Sequence, residues 1–262
     1  MHELPVLFVS HGAPTLALET EHAWSKALRA LGERLPRPRA VAVISGHWQE
    51  RGGFVATSAA RPETVHDFGG FGPELHAIEY PCPGDPALAR ELAERLGKAG
   101  FESSLDPRRG LDHGAWVPLR QLFPRADVPV VQLSLPHPAS AADLLRAGAA
   151  LAPLRSEGVL LIGSGGAVHN LRRISWKESE PPEKWALDFD RYLWEAAKSH
   201  DRAALENWRS APGAALAHPS SEHLEPAFVA LGATRADEPV SELHASFSHG
   251  NLSLRSFLVG AD

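Results

Sequence analysis

Apolar residues arrive in short runs that stop at small or turn-forming residues, and between the runs they recur every three or four positions. Leu4 to Val9 is the first run and reads as a buried strand; the Gly12-Ala13-Pro14 that follows must turn the backbone away, leaving His11 at the strand's carboxyl end. From Glu21 to Leu35, Trp24, Leu28, Leu31 and Leu35 stand at helical spacing, with Thr20 as the expected N-cap and Pro36 as the stop. A second run, Ala40 to Ile44, ends in Ser45-Gly46-His47-Trp48 and repeats the syntax of the first. Strand, helix and strand in succession predict a parallel sheet.

Thr57 to Gly84 breaks the rhythm, being rich in Gly, Pro and aromatics, and is read as a flap over whatever lies at the strand ends. Pro86 to Gly97 predicts a helix capped by Asp85, Phe101 to Leu105 an edge strand, and Gly110 to Trp116 leads into a short helix that ends at Pro124. Val128 to Leu135 predicts a central strand, Ala139 to Leu154 a helix, and Gly158 to Ile162 a buried strand. That strand spills into Gly163 to Asn170, whose glycines predict a mobile carrier for His169. Helices follow within Pro181 to His200, around Ala203 to Trp208, and from about Glu222 to Leu231 with His223 in its first turn; Val240 to Phe247 and Leu252 to Leu258 close the chain as strands. The expected architecture is α/β: one domain over 1–262, a mostly parallel central sheet with helices on both faces, and a site at the strand carboxyl ends.

Charge narrows the partners. A formal net charge of -6 without a block of Lys or Arg argues against nucleic acid or an anionic membrane surface. No apolar run approaches the roughly 18–20 residues that span a bilayer, and the one cysteine, Cys82 between two prolines, forms no internal disulfide and reads as an inert thiol; the expected setting is the cytoplasm. Fourteen histidines against one Met and two Tyr are another matter. His11, His47, His113, His169 and His223 each follow a strand or open a helix beside Gly, Ser or Pro, where the backbone can approach a ligand. His2, His22, His76, His137, His200, His244 and His249 sit in termini, helix faces or turns and carry no expected role, while His218 is set apart only by its nearness to His223. A cluster of neutral imidazoles suits Fe(II), Zn(II) or a similar borderline metal.

The segments FVSHGAPTLALE, AVISGHWQ, TVHDFGGFGPEL, YPCPGDP, GLDHGAWVPL, VPVVQLSL, GSGGAVHNLR and PSSEHLEPAFVALGA run in order over nearly the whole chain. Together they resemble the class III extradiol ring-cleaving dioxygenases, in particular the 4,5-DOPA-extradiol-dioxygenase-like branch. The resemblance implies metal ligation by His11 and His47, with His223 as third ligand and its neighbour Glu222 as the alternative that relatives with a glutamate ligand would use. It implies His169 as acid/base residue and His113 as a proton-handling or substrate-contacting residue. It also implies Fe(II) for activity with Zn(II) able to fill the same site, and a small aromatic diol and O2 as substrates, opened to a semialdehyde. Homodimers are common among such enzymes. His66, Phe68 and Tyr80 on the flap are the expected substrate-binding residues, with a His66-Asp67 pair bracing the loop as the other reading. Two rival classes use the same residues: a zinc hydrolase built on a metal hydroxide, and a non-catalytic metal- or peptide-binding member of the fold.

Overall fold

A computed structural model describes residues 3–177 and 179–260; His2 therefore lies outside the described residues. The strands are β1 (Val6–Ser10), β2 (Ala40–Arg51), β3 (Phe54–Thr57), β4 (Ser103–Asp106), β5 (Val130–His137), β6 (Val159–Gly165), β7 (Val240–His244), β8 (Phe247–Ser248), β9 (Leu252–Ser253) and β10 (Ser256–Val259). The α-helices are α1 (Ala23–Arg34), α2 (Pro73–His76), α3 (Pro86–Lys98), α4 (His113–Leu122), α5 (Ala141–Leu151), α6 (Lys184–Lys198), α7 (Arg202–Glu206), α8 (Ala214–Ala217) and α9 (Glu225–Gly232).

Eight strands form one sheet in the order β4-β3-β5-β2-β6-β1-β10-β7, and β8 and β9 make a separate ribbon. Its heart is parallel: β5, β2, β6 and β1 all run the same way. Antiparallel pairing enters only outside that block, where β3 meets β5 and where β10 joins β1 and then β7. Strand side chains alternate between two cores, as the two-residue period requires. Val6 and Phe8 of β1 point into the core built with α3, α5, α6 and α9, and Leu7 and Val9 into the one built with α1 and α4. No helix among the described residues is long and apolar enough to cross a membrane.

Most predicted elements appear within a few residues of their expected bounds, and the exceptions are instructive. Helix α1 begins later than expected because the His22 side chain, and not Thr20, accepts from the Trp24 amide as N-cap. Helix α9 begins at Glu225, so His223 sits in the turn before it and not in its first turn. Gly12 adopts φ +65, the left-handed backbone that lets the chain leave β1 sharply after His11.

The glycine-rich stretch after β6 corrects the expectation of mobility. A Cβ at Gly165 would lie 2.0 Å from the His223 carbonyl oxygen, so the small residue is there because another backbone passes against it. Replacement of Gly165 by Ala forces these segments apart. Expected is a loss of about 1–3 kcal/mol of stability, the usual cost of overpacking, measured as a lower urea midpoint.

Candidate metal centre

His11 follows β1 directly, and its amide donates to the Gly165 carbonyl at 3.0 Å. His47 is delivered by an irregularity in β2: Ile44 pairs Leu133 and Gln49 pairs Leu135, so residues 45–48 stand opposite the single residue 134. A bulge of this kind re-aims side chains at the end of a strand. The turn carrying His223 is pinned against β6 by the Gly166 amide, 2.8 Å from the His223 carbonyl. Three distant stretches of chain thus converge at the carboxyl ends of β1 and β2, as expected of an open α/β sheet.

The three imidazoles meet through Nε2. His47 Nε2 lies 3.0 Å from His11 Nε2 and 3.2 Å from His223 Nε2. The opposite nitrogens decide what these contacts are. Ser164 Oγ gives its proton to the Gly114 carbonyl and can only accept from His11 Nδ1, at 3.0 Å. His47 Nδ1 faces Asp67 Oδ2 at 3.3 Å, and His223 Nδ1 faces Glu222 Oε1 at 3.2 Å. Each Nδ1 therefore carries the proton, and three bare Nε2 lone pairs confront one another.

Such lone pairs repel unless a cation stands among them. Two nitrogens each about 2.1 Å from one ion and roughly at right angles would stand about 3.0 Å apart. The donor set fits a divalent transition metal, with an acceptor behind every ligand to fix its tautomer.

Around this centre the other expected residues take different places. His113 is the first residue of α4, beneath the Asp112 N-cap, and its Nδ1 and backbone amide lie 2.8 and 3.0 Å from Asp67 Oδ1. Its ring stands 4.0 Å from that of His47. His169 stacks flat on His223, ring centres 3.6 Å apart at 5°, so it flanks the three converging nitrogens. Phe68 sets its edge against His113 at 5.6 Å.

His66 turns into the flap, where Nε2 donates to the Ile78 carbonyl at 2.9 Å, while Asp67 turns to His113 and His47, so the loop is braced by His66 and Ile78 and not by the expected His66-Asp67 pair. Tyr80 is a correction: its hydroxyl donates to the Phe123 carbonyl at 3.0 Å and its ring is sealed in the core beneath α4, so it offers nothing to a substrate. Glu222, the alternative ligand, accepts from His223 Nδ1 at 3.2 Å and stands with His169 and His223 in a second group whose donor atoms lie within 4.8 Å of one another. His218 donates from Nε2 to the Ala167 carbonyl at 3.0 Å and braces the segment leading to His169.

Sequence reasoning missed the residues behind the ligands. Ser164, Asp67 and the buried Asp112 all act there. Asp112 accepts from Ser45 Oγ at 2.7 Å and from the Gln132 side chain, and Ser45 in turn meets the His47 amide at 3.2 Å. The available signal was local: Asp112 directly precedes His113 as an N-cap, and Ser45 stands two residues before His47.

Burial sets the protonation states. It pushes the His47 and His169 imidazoles down to about 2 and His218 to about 4, and lowers His11 well below its usual value; neighbouring histidines add to the effect. Burial opposes ionisation of Glu222, but the hydrogen bonds from His223, its own backbone and Ser220, with the charge interaction of His223, together outweigh it and hold that carboxyl down at about 2. Burial also lifts the Cys82 thiol to about 12, in line with an inert residue.

Residues 5–255 match the family model described as the catalytic LigB subunit of aromatic ring-opening dioxygenase. The chain belongs to this family. Among LigB relatives, a 4,5-DOPA dioxygenase extradiol of Escherichia coli (strain K12) is 39% identical, over 98% of this chain and 95% of its own. One of the same name from Beta vulgaris is 37% identical over 95% and 94%. A crystal structure of an uncharacterized protein from Escherichia coli K12 superposes with a TM-score of 0.84 at 34% identity, covering 98% of this chain and all of that one. Membership in the LigB family accounts for the order of the histidine-bearing segments along the chain.

The buried imidazoles set a pH limit. Folded and free of metal, they stay neutral, whereas the unfolded chain takes up protons below about pH 6.5. Stability is therefore level above that pH and falls beneath it, by at most about 1.4 kcal/mol per pH unit for each such histidine. The decline continues towards the folded values of His218 and then of His47 and His169. Urea midpoints of chelator-treated protein at pH 7.5 and 5.5 measure it; equal midpoints would contradict the burial.

Proposed function

We propose that this chain is a non-haem, metal-dependent extradiol dioxygenase that adds both atoms of O2 to a catechol-type ring and opens it to a semialdehyde, working in the cytoplasm. The observation that carries the reading is the convergence of three unprotonated Nε2 atoms in a member of a ring-opening family. A DOPA-like diol is the substrate class, in keeping with the names of the relatives.

His11, His47 and His223 would hold Fe(II), and zinc, which stands higher in the affinity order, competes for the same donors. Bound there, divalent iron supplies a Lewis acid that makes the diol more acidic and a redox centre for dioxygen. The protein's share is binding, orientation and proton movement. His169 takes a proton from the diol at a ring nitrogen. Because burial disfavours its cation, it accepts only from an acidified hydroxyl and returns the proton readily to the ring-opening product.

His113, with Nδ1 tied to Asp67, turns an unprotonated Nε2 away from the flap and can accept a hydrogen bond from the second hydroxyl. Phe68 packs against His113 and Trp116 and keeps water from that side.

The test is anaerobic reconstitution with Fe(II), then air and a panel of catechols, with oxygen uptake and yellow product recorded together. One O2 consumed per ring opened is expected. His47→Ala should abolish both signals, whereas His169→Ala should keep the metal and lose about 10²–10⁴-fold in kcat. Turnover without oxygen uptake would favour a zinc hydrolase.

A further inference from the structure

Asp67 lies on the flap with its backbone at the surface and its carboxylate turned inward, the side chain 21% exposed. One oxygen stands 3.3 Å from His47 Nδ1. The other is 2.8 Å from His113 Nδ1 and 3.0 Å from the His113 amide. We infer that Asp67 is a positioning residue whose single carboxylate fixes the tautomers of His47 and His113 together.

An ionised carboxylate only accepts, so both Nδ1 atoms must carry protons and both Nε2 atoms must be bare. Among the described residues, no other acceptor stands at either Nδ1. Ser45 Oγ is engaged with Asp112 and the His47 amide, and reaches only the backbone of His47. The carboxylate is itself held in place from both sides. The Val65 carbonyl accepts from Trp116 Nε1 at 3.0 Å and the Val65 amide donates to the Leu111 carbonyl at 2.8 Å, while Phe68 lies against His113 and Trp116. The bulge of β2, the start of α4 and the flap therefore lock on one side chain.

The consequence for metal binding follows from reversing the hydrogen bond. In Asp67→Asn the carboxamide oxygen can still accept from His113, but its NH2 then faces His47 Nδ1 and requires a lone pair there. The His47 proton moves to Nε2 and points at His11 Nε2, 3.0 Å away, where the ion would stand. A change of one atom closes the centre. This consequence rests on the metal-centre reading; the tautomers themselves are a property of the metal-free protein.

The two are tested separately. Nitrogen-15 spectra of metal-free, histidine-labelled protein should show Nδ1–H tautomers for His47 and His113, and an Nε2–H tautomer for His47 in Asp67→Asn. Calorimetric titration with Zn²⁺ should show affinity about 10–100-fold weaker in Asp67→Asn and in Asp67→Ala than in the parent protein. Unchanged tautomers in Asp67→Asn, with zinc affinity in both variants within about twofold of the parent, would overturn the inference. A parent protein that binds no zinc would sink the metal-centre reading, and the tautomer spectra alone would then decide the role of Asp67.

Discussion

Three nitrogen lone pairs aimed at one point are an arrangement no folded chain reaches without compulsion. His11, His47 and His223 present Nε2 to one another at 3.0 and 3.2 Å because Ser164, Asp67 and Glu222 hold the protons on the far side of each ring. Neutral imidazoles at this spacing repel, and burial denies His11 and His47 the protonation that would turn a repulsion into a hydrogen bond. The fold thus stores an unsatisfied electrostatic demand that one cation answers. Preorganisation is the physical meaning of the centre: little needs to move when the ion enters.

The fold meets this demand through the placing of β6. By lying between β1 and β2, β6 sets Ser164 in register with Val9 on one side and Ser45 on the other, one step short of the turns that lead to His11 and His47. The same strand offers Gly165 as the surface on which the His223 turn rests, and then delivers His169 onto the face of His223. A single strand therefore orients one ligand, seats another and supplies the flanking imidazole. The antiparallel additions, β3 against β5 on one flank and β10 against β1 with β7 beyond it on the other, widen the sheet and leave β2 and β6 in its interior.

The converging histidines and the general architecture were legible because each histidine sits next to a structural signal: an apolar run that stops, a Gly that turns, a Pro that opens a helix. Their supporting residues were not, since Ser164 and Asp67 act only through contacts between segments separated by 153 and 20 to 46 residues, which no local period records. The glycines after β6 show the same limit. In isolation Gly163 to Gly166 implies slack, whereas in the fold Gly163 and Gly165 belong to β6 and have the Pro226 and His223 carbonyls pressed against them, where a Cβ would not fit. Tyr80 failed for the opposite reason: an aromatic on a loop reads as a wall for a ligand, but its hydroxyl finds two carbonyls at the end of α4 and carries it into the core. Composition identifies chemistry-bearing residue types; only packing says which way they face.

Charge balance links the surroundings to proton movement. A divalent ion held by three neutral imidazoles would be matched by the two carboxylates one layer out, Asp67 and Glu222, both held ionised by their histidine partners. Burial, and then the nearby Asp67, raise the Asp112 carboxyl, against the hydrogen bonds from Ser45 and Gln132. With those two carboxylates a bound divalent ion would be balanced before substrate arrived, so a diol that entered as a dianion would carry two uncompensated charges into a buried site. At least one proton must stay nearby, and His169, stacked flat on His223, is the neighbouring base. Its weak basicity then follows from the same burial that keeps the ligands neutral, so metal affinity and proton return are two effects of one dry environment.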